Sequence, residues 1–161
     1  MYDVIIIGAG PGGIISAYEL MKQDENLKIA VFDAGRSLEQ RHCPIDGEKV
    51  KSCIGCKTCA IMNGFGGAGA FSDGKYNITN DFGGTLYEYI GRQKALELMK
   101  YVDTINMSHG GEGTKMYSTA GTDLKKVCLQ NKLKLLDASV RHLGTDVNYV
   151  CLLYTSDAAD D

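Results

Sequence analysis

The chain has 161 residues, about one domain's worth, and its 44% apolar content is ordinary for a globular protein. Its 17 basic residues face 20 acidic ones and form no stripe interleaved with aromatics, so nucleic-acid binding has no support. No apolar run reaches the ~20 residues of a membrane span, and no basic leader precedes the first apolar run, which predicts a cytoplasmic, reducing location.

Val4-Ile5-Ile6-Ile7 is β-branched and too short for a helix, and predicts a parallel strand buried on both faces. Gly8-Ala9-Gly10-Pro11-Gly12-Gly13 follows, and Ile14, Ala17, Tyr18 and Met21 then recur at helical spacing. Ile29-Ala30-Val31-Phe32 predicts a second strand that runs into Asp33. Strand, glycine turn, helix, strand and terminal carboxylate form a dinucleotide-binding fingerprint. The expected fold is therefore α/β, a Rossmann-like FAD/NAD(P)-binding βαβ domain. Gly8 allows the tight turn, Gly10 lets backbone approach a pyrophosphate, and Gly13 lets the helix lie close on the sheet. Pro11 and Gly12 open a helix whose N–H groups and dipole favour phosphate. Asp33 suits ribose hydroxyls and disfavours a 2′-phosphate, pointing to FAD or NAD; Arg36, just beyond Ala34-Gly35, weakens that preference.

Residues 34–91 carry little regular pattern and hold four of the six cysteines. A stretch of this length inside a compact domain is usually functional. A helix is predicted from Arg92 to Met107, with Ala95, Leu98, Met99, Val102 and Ile105 facing inward and His109-Gly110-Gly111 as its stop. Another is predicted from Thr122 as N-cap to Asn131, with Leu124, Val127 and Cys128 facing inward. Leu133 to Ala138 then reads as a strand, and Arg141 to Asp146 as a polar turn.

Asn63 to Lys75, NGFGGAGAFSDGK, is too small-residued for a core and too patterned for a linker. Together with the fingerprint, the Cys-rich insert, NITNDFGG and RHLGTD, it resembles a family of bacterial FAD-dependent dehydrogenases in the glutathione-reductase-like flavoprotein superfamily. The resemblance covers residues 1 to about 149. It implies FAD rather than NAD at the fingerprint, with Gly66, Gly67, Ala68 and Ser72 along the cofactor and Asp73 and Lys75 towards its ring system. It also implies a longer parent chain with a substrate domain, and hydride or electron transfer at the flavin, with NAD(P)H as a possible electron partner. A dinucleotide-fold module that uses the nucleotide structurally, without redox turnover, is the alternative.

Cys53, Cys56 and Cys59 form C-x-x-C-x-x-C, with Cys43-Pro44 upstream. The spacing is that of the first three ligands of a ferredoxin run, but Met62 stands at the fourth position. With Cys43 completing the set, an iron–sulfur cluster or a structural zinc is open; so are a redox pair such as Cys53/Cys56 and unlinked thiols. His42 is a lesser ligand candidate, and His109 suits a helix C-terminus. For acid–base chemistry, His142 and Lys75 are the candidates, although a loop histidine is the commoner outcome.

Cys151 to Asp161 reads as translated sequencing adapter rather than native sequence. It holds three of the 20 acidic residues and no basic one, so residues 1–150 are formally neutral. On that reading residues 1–150 are the N-terminal part of an FAD-binding domain, with 34–91 as its Cys/Gly-rich, FAD-contacting insert. Apolar edges would then be left uncovered and flavin retention would be weak.

Overall fold

The computed structural model describes residues Met1–Asp157. The fold is mixed α/β, with two small sheets and five α-helices among the described residues. The first sheet is β1 (Val4–Ile7) beside β2 (Ile29–Phe32), parallel and in register from Val4↔Ile29 to Ile7↔Phe32. Parallel neighbours need a crossover, and α1 (Pro11–Gln23) supplies it. Pro11 opens α1, where its missing N–H costs nothing, and Ile14 and Ala17 bury its inner face.

Both predicted strands form, but not buried on both faces. Ile5, Ile7 and Phe32 are 58%, 81% and 52% exposed. With only two strands and one helix packed on the sheet, one face of each strand stays open, and the alternating burial of β1 records this.

Beyond β2 the chain runs through short 3₁₀ turns at Leu38–Gln40 and Gly67–Phe71 into β3 (Lys75–Ile78). Next come α2 (Leu86–Ile90) and α3 (Arg92–Asn106), which ends in a wide turn over Met107–Gly111. Gly110 has φ of +104° there, so the predicted His109-Gly110-Gly111 stop is where the helix ends. Ala95 and Ile105 are buried as expected, whereas Leu98 is 47% exposed. The buried face of α3 includes polar Asp103 instead, because Asp103 meets the Arg141 guanidinium.

The second sheet has order β3-β5-β4, all antiparallel, with β4 at Met116–Ser118 and β5 at Ser139–His142. Residues 133–138 are not the strand; the strand starts at Ser139 and takes in Arg141 and His142, which the sequence places in a turn. α4 (Leu124–Gln130) forms, with the Thr122 hydroxyl accepting from the Leu124 N–H at 3.3 Å. Its expected inward face does not: Leu124 and Val127 are 62% and 51% exposed, since no element covers them. Cys128 is half-buried.

α5 (Thr145–Asp157) packs against α1 and the turn after α3. Leu152 joins Leu38 and Ala70 in a small core, with Phe65 and Tyr149 against it. Cys151 and Leu152, the first residues of the segment read as non-native, are buried on this helix. No described helix is long and apolar enough to cross a membrane.

Candidate functional site

The two glycine-rich segments, about fifty residues apart in the chain, meet at the N-terminus of α1. Gly66 donates its N–H to the Ala9 carbonyl at 2.8 Å. A Cβ built on Gly67 would lie 3.1 Å from Gly10 Cα and 3.3 Å from Pro11 Cδ, so the backbones touch with no side chain between them.

Two glycines of the first turn are demanded by the fold itself. Gly8 has φ of +106°, and a Cβ on Gly13 would fall 1.9 Å from the Gly8 carbonyl oxygen. The other two are not. Gly10 sits at φ −76°, which any residue adopts, and its Cβ would meet only Gly67 Cα at 3.9 Å. A Cβ on Gly12 would meet nothing within 4 Å. The helix N-terminus carries no side-chain cap, so no side chain of its N-cap residue meets its first N–H groups.

Asp33 closes the end of the sheet. Its carboxylate accepts from the Ala9 N–H at 2.9 Å and the Gly35 N–H at 2.7 Å. The Gly35 N–H chiefly holds this carboxyl below the usual range; the Ala9 and Gly64 N–H groups and the Arg41 charge add to it, against a cost from burial. Beyond Asp33 a cavity of about 340 Å³ opens, lined by Ala34, Gly35, Arg36, Arg41, His42 and Cys56 among others.

Two residues that the sequence does not single out hold the second glycine segment in place. Arg41 is 2% exposed and donates to the Ala60 carbonyl at 2.8 Å, the Ile61 carbonyl at 2.7 Å and the Phe65 carbonyl. Its guanidinium also lies over the Phe71 ring, 4.7 Å from the centroid. Asn148 on α5, 1% exposed, donates to the Gly69 carbonyl at 2.9 Å and accepts from the Tyr76 hydroxyl at 3.0 Å. The only hints of these roles in the sequence are an arginine beside the Cys-rich insert and an asparagine four residues past Gly144. Of the remaining predicted contacts, Ala68 is exposed, and Ser72 Oγ accepts from the Gly74 N–H at 3.1 Å.

Lys75 and His142 come together, paired across β3 and β5. Asp73 Oδ2 lies 2.6 Å from Lys75 Nζ and 3.7 Å from His142 Nε2, and all three side chains are about half-exposed. Lys75 is the main reason the Asp73 carboxyl stays below its usual range. His142 thus faces Asp73 rather than the Asp146 that is near it in sequence.

The cysteines behave differently. Cys43, Cys53 and Cys56 are exposed and Cys59 is half-buried. Among the described residues no three His, Cys, Asp or Glu side chains converge tightly enough to hold a metal ion.

No protein-family model, curated protein or solved structure matches the chain.

Proposed function

We propose that the chain binds FAD across the two apposed glycine segments, as the FAD-binding part of an FAD-dependent oxidoreductase. The observation that carries the reading is the split among the glycines of the first turn. Gly8 and Gly13 are required by the backbone, whereas Gly10 and Gly12 have ordinary conformations and room for a Cβ. A ligand backbone lying close over the helix N-terminus accounts for that second pair.

On this reading the N–H groups of the first turn of α1 hold the pyrophosphate beside the place where the Gly66–Ala68 backbone packs on that turn. With the N–H groups of Ala9, Gly35 and Gly64 all turned to it, the Asp33 carboxylate has about one of its roughly four lone-pair sites left for a ribose hydroxyl. Its negative charge also disfavours a 2′-phosphate. The cavity lined by Ala34, Gly35 and Arg36 takes the adenosine end. FAD when bound supplies hydride and electron transfer. Lys75 and His142, gathered around Asp73, are the side chains beside the second glycine segment able to hold or move a proton. NAD(P)H is the proposed electron partner.

Quenching of FAD fluorescence on titration with the protein tests the reading, with FMN as the control that lacks the pyrophosphate-linked adenosine. We expect saturable FAD binding, weak FMN binding, and at least about tenfold loss of FAD affinity in Gly12→Val at unchanged melting temperature. Absence of saturable FAD binding, or unaltered affinity in Gly12→Val, overturns the proposal.

A further inference from the structure

The cavity beyond Asp33, assigned above to the adenosine end of FAD, is lined in part by the Cys-rich insert. Cys56 lines it, and so do Thr58 and Ala60, the two neighbours of Cys59, whereas Cys59 does not. Between Cys56 and Cys59 the chain bends at both Lys57 and Thr58; between Cys53 and Cys56 it bends at neither Ile54 nor Gly55. A disulfide needs Cα atoms about 4.4–6.8 Å apart, a separation that the two ends of a four-residue reversal approach. The local backbone therefore favours Cys56 with Cys59 over Cys53 with Cys56.

The two partners are held very differently. Cys59 is half-buried, and its carbonyl accepts from the Met62 N–H at 3.2 Å and the Asn63 N–H at 2.9 Å. Arg41 grips the next two carbonyls, those of Ala60 and Ile61, at 2.8 and 2.7 Å. Cys56 is exposed, and residues 51–58 make no hydrogen bond among the described residues. Closing the pair thus brings Cys56 to Cys59 rather than the reverse. The Cys56 sulfur then leaves the cavity wall, and Thr58, enclosed in the new loop, is carried with it.

We propose that Cys56 and Cys59 form a reversible disulfide that controls FAD affinity from the adenosine end of the site, with a low-molecular-weight disulfide as oxidant. The Cys56 thiolate attacks one sulfur of the oxidant, whose S–S bond breaks; a mixed disulfide forms and one thiol leaves. The Cys59 thiolate then attacks the Cys56 sulfur, the Cys56–Cys59 bond forms, and the second thiol leaves. Two protein thiols are oxidised and one external disulfide is reduced to two thiols. The wall built from Cys56 and Thr58 is redrawn, and the oxidised chain binds FAD more weakly. The control of affinity rests on the FAD reading; the disulfide itself does not.

The test equilibrates the full chain with bis(2-hydroxyethyl) disulfide, blocks free thiols with N-ethylmaleimide and cuts with trypsin after Lys51, Lys57 and Lys75. Cys53 and Cys56 then lie on one peptide, 52–57, and Cys59 on another, 58–75. The expected link joins these two peptides through Cys56, with Cys53 alkylated. By fluorescence quenching the oxidised chain should bind FAD at least about fivefold more weakly than the reduced chain, and dithiothreitol should restore the affinity. Cys59→Ser, outside the cavity wall, should bind FAD as the reduced wild type does and keep the mixed disulfide on Cys56. A link within 52–57, a link to Cys43, or equal FAD affinity of the oxidised and reduced chains overturns this inference and leaves the FAD reading standing. Failure of the reduced chain to bind FAD overturns the FAD reading and the control of affinity with it, whatever the link.

Discussion

Replacing Arg41 by methionine keeps the length of the side chain and removes its charge and all its donors. Three carbonyls, those of Ala60, Ile61 and Phe65, then lose their partner in a place where the arginine is only 2% exposed. Each unmet carbonyl costs about 1–3 kcal/mol, and relief from burying the guanidinium offsets part of the sum. A net loss of about 3–5 kcal/mol is expected, a large share of the 5–15 kcal/mol typical of a domain. Arg41→Lys supplies one ammonium instead of a planar fork and should recover only part of this. Urea unfolding followed by circular dichroism gives the stability. Hydrogen exchange gives the location, because the amides of Phe65 and Gly66 bond to the Arg36 and Ala9 carbonyls at 3.1 and 2.8 Å. These two amides should lose protection before those of β5. A loss under about 1 kcal/mol, with unchanged exchange at Phe65 and Gly66, would refute the view that Arg41 secures the glycine segment.

Gly13→Ala forces a Cβ to 1.9 Å from the Gly8 carbonyl oxygen, so it should unfold or severely destabilise the protein in a thermal melt, whereas Gly10→Ala should melt like the wild type. For Asp33 the folded carboxyl titrates below its unfolded value, mainly through the Gly35 N–H. Its contribution is therefore complete above the ordinary carboxylate range and disappears as pH falls through the depressed folded value. The drop in melting temperature between about pH 5 and pH 2 should be smaller in Asp33→Asn than in the wild type; equal drops would contradict this. Cys43, Cys53 and Cys56 should react quickly with a thiol reagent, and Cys151, buried with its thiol pushed up by burial, only after unfolding. Protection of the three exposed thiols, reversed by a chelator, would instead show a metal holding them.

The first βαβ unit was legible because its signals are local. Four β-branched or aliphatic residues, a glycine turn with Pro11 at a helix start, and helical spacing of Ile14 and Ala17 all agree over thirty-three residues. The second sheet was not legible, since Lys75–Ile78 and Ser139–His142 are short and mostly polar and owe their strand form to each other. Arg141 looked like a turn residue because Asp103, which shields its charge, is 38 residues away. Arg41 and Asn148 were missed for the same reason: their partners lie 19 to 79 residues distant, and no periodicity carries such pairs. The exposed Leu124 and Val127 mark the opposite error, where an amphipathic pattern formed its helix but met no partner surface.

The central claim, that the two glycine segments form one dinucleotide site, is tested most directly by mapping FAD-induced shifts in the ¹⁵N spectrum of the full chain. The account predicts that amides of Gly8–Gly13 and Gly66–Ser72 move together with one saturation curve, and that Gly12→Val moves both to at least about tenfold higher FAD concentration. Shifts confined to one segment, or a saturation curve unaltered in Gly12→Val, would contradict it.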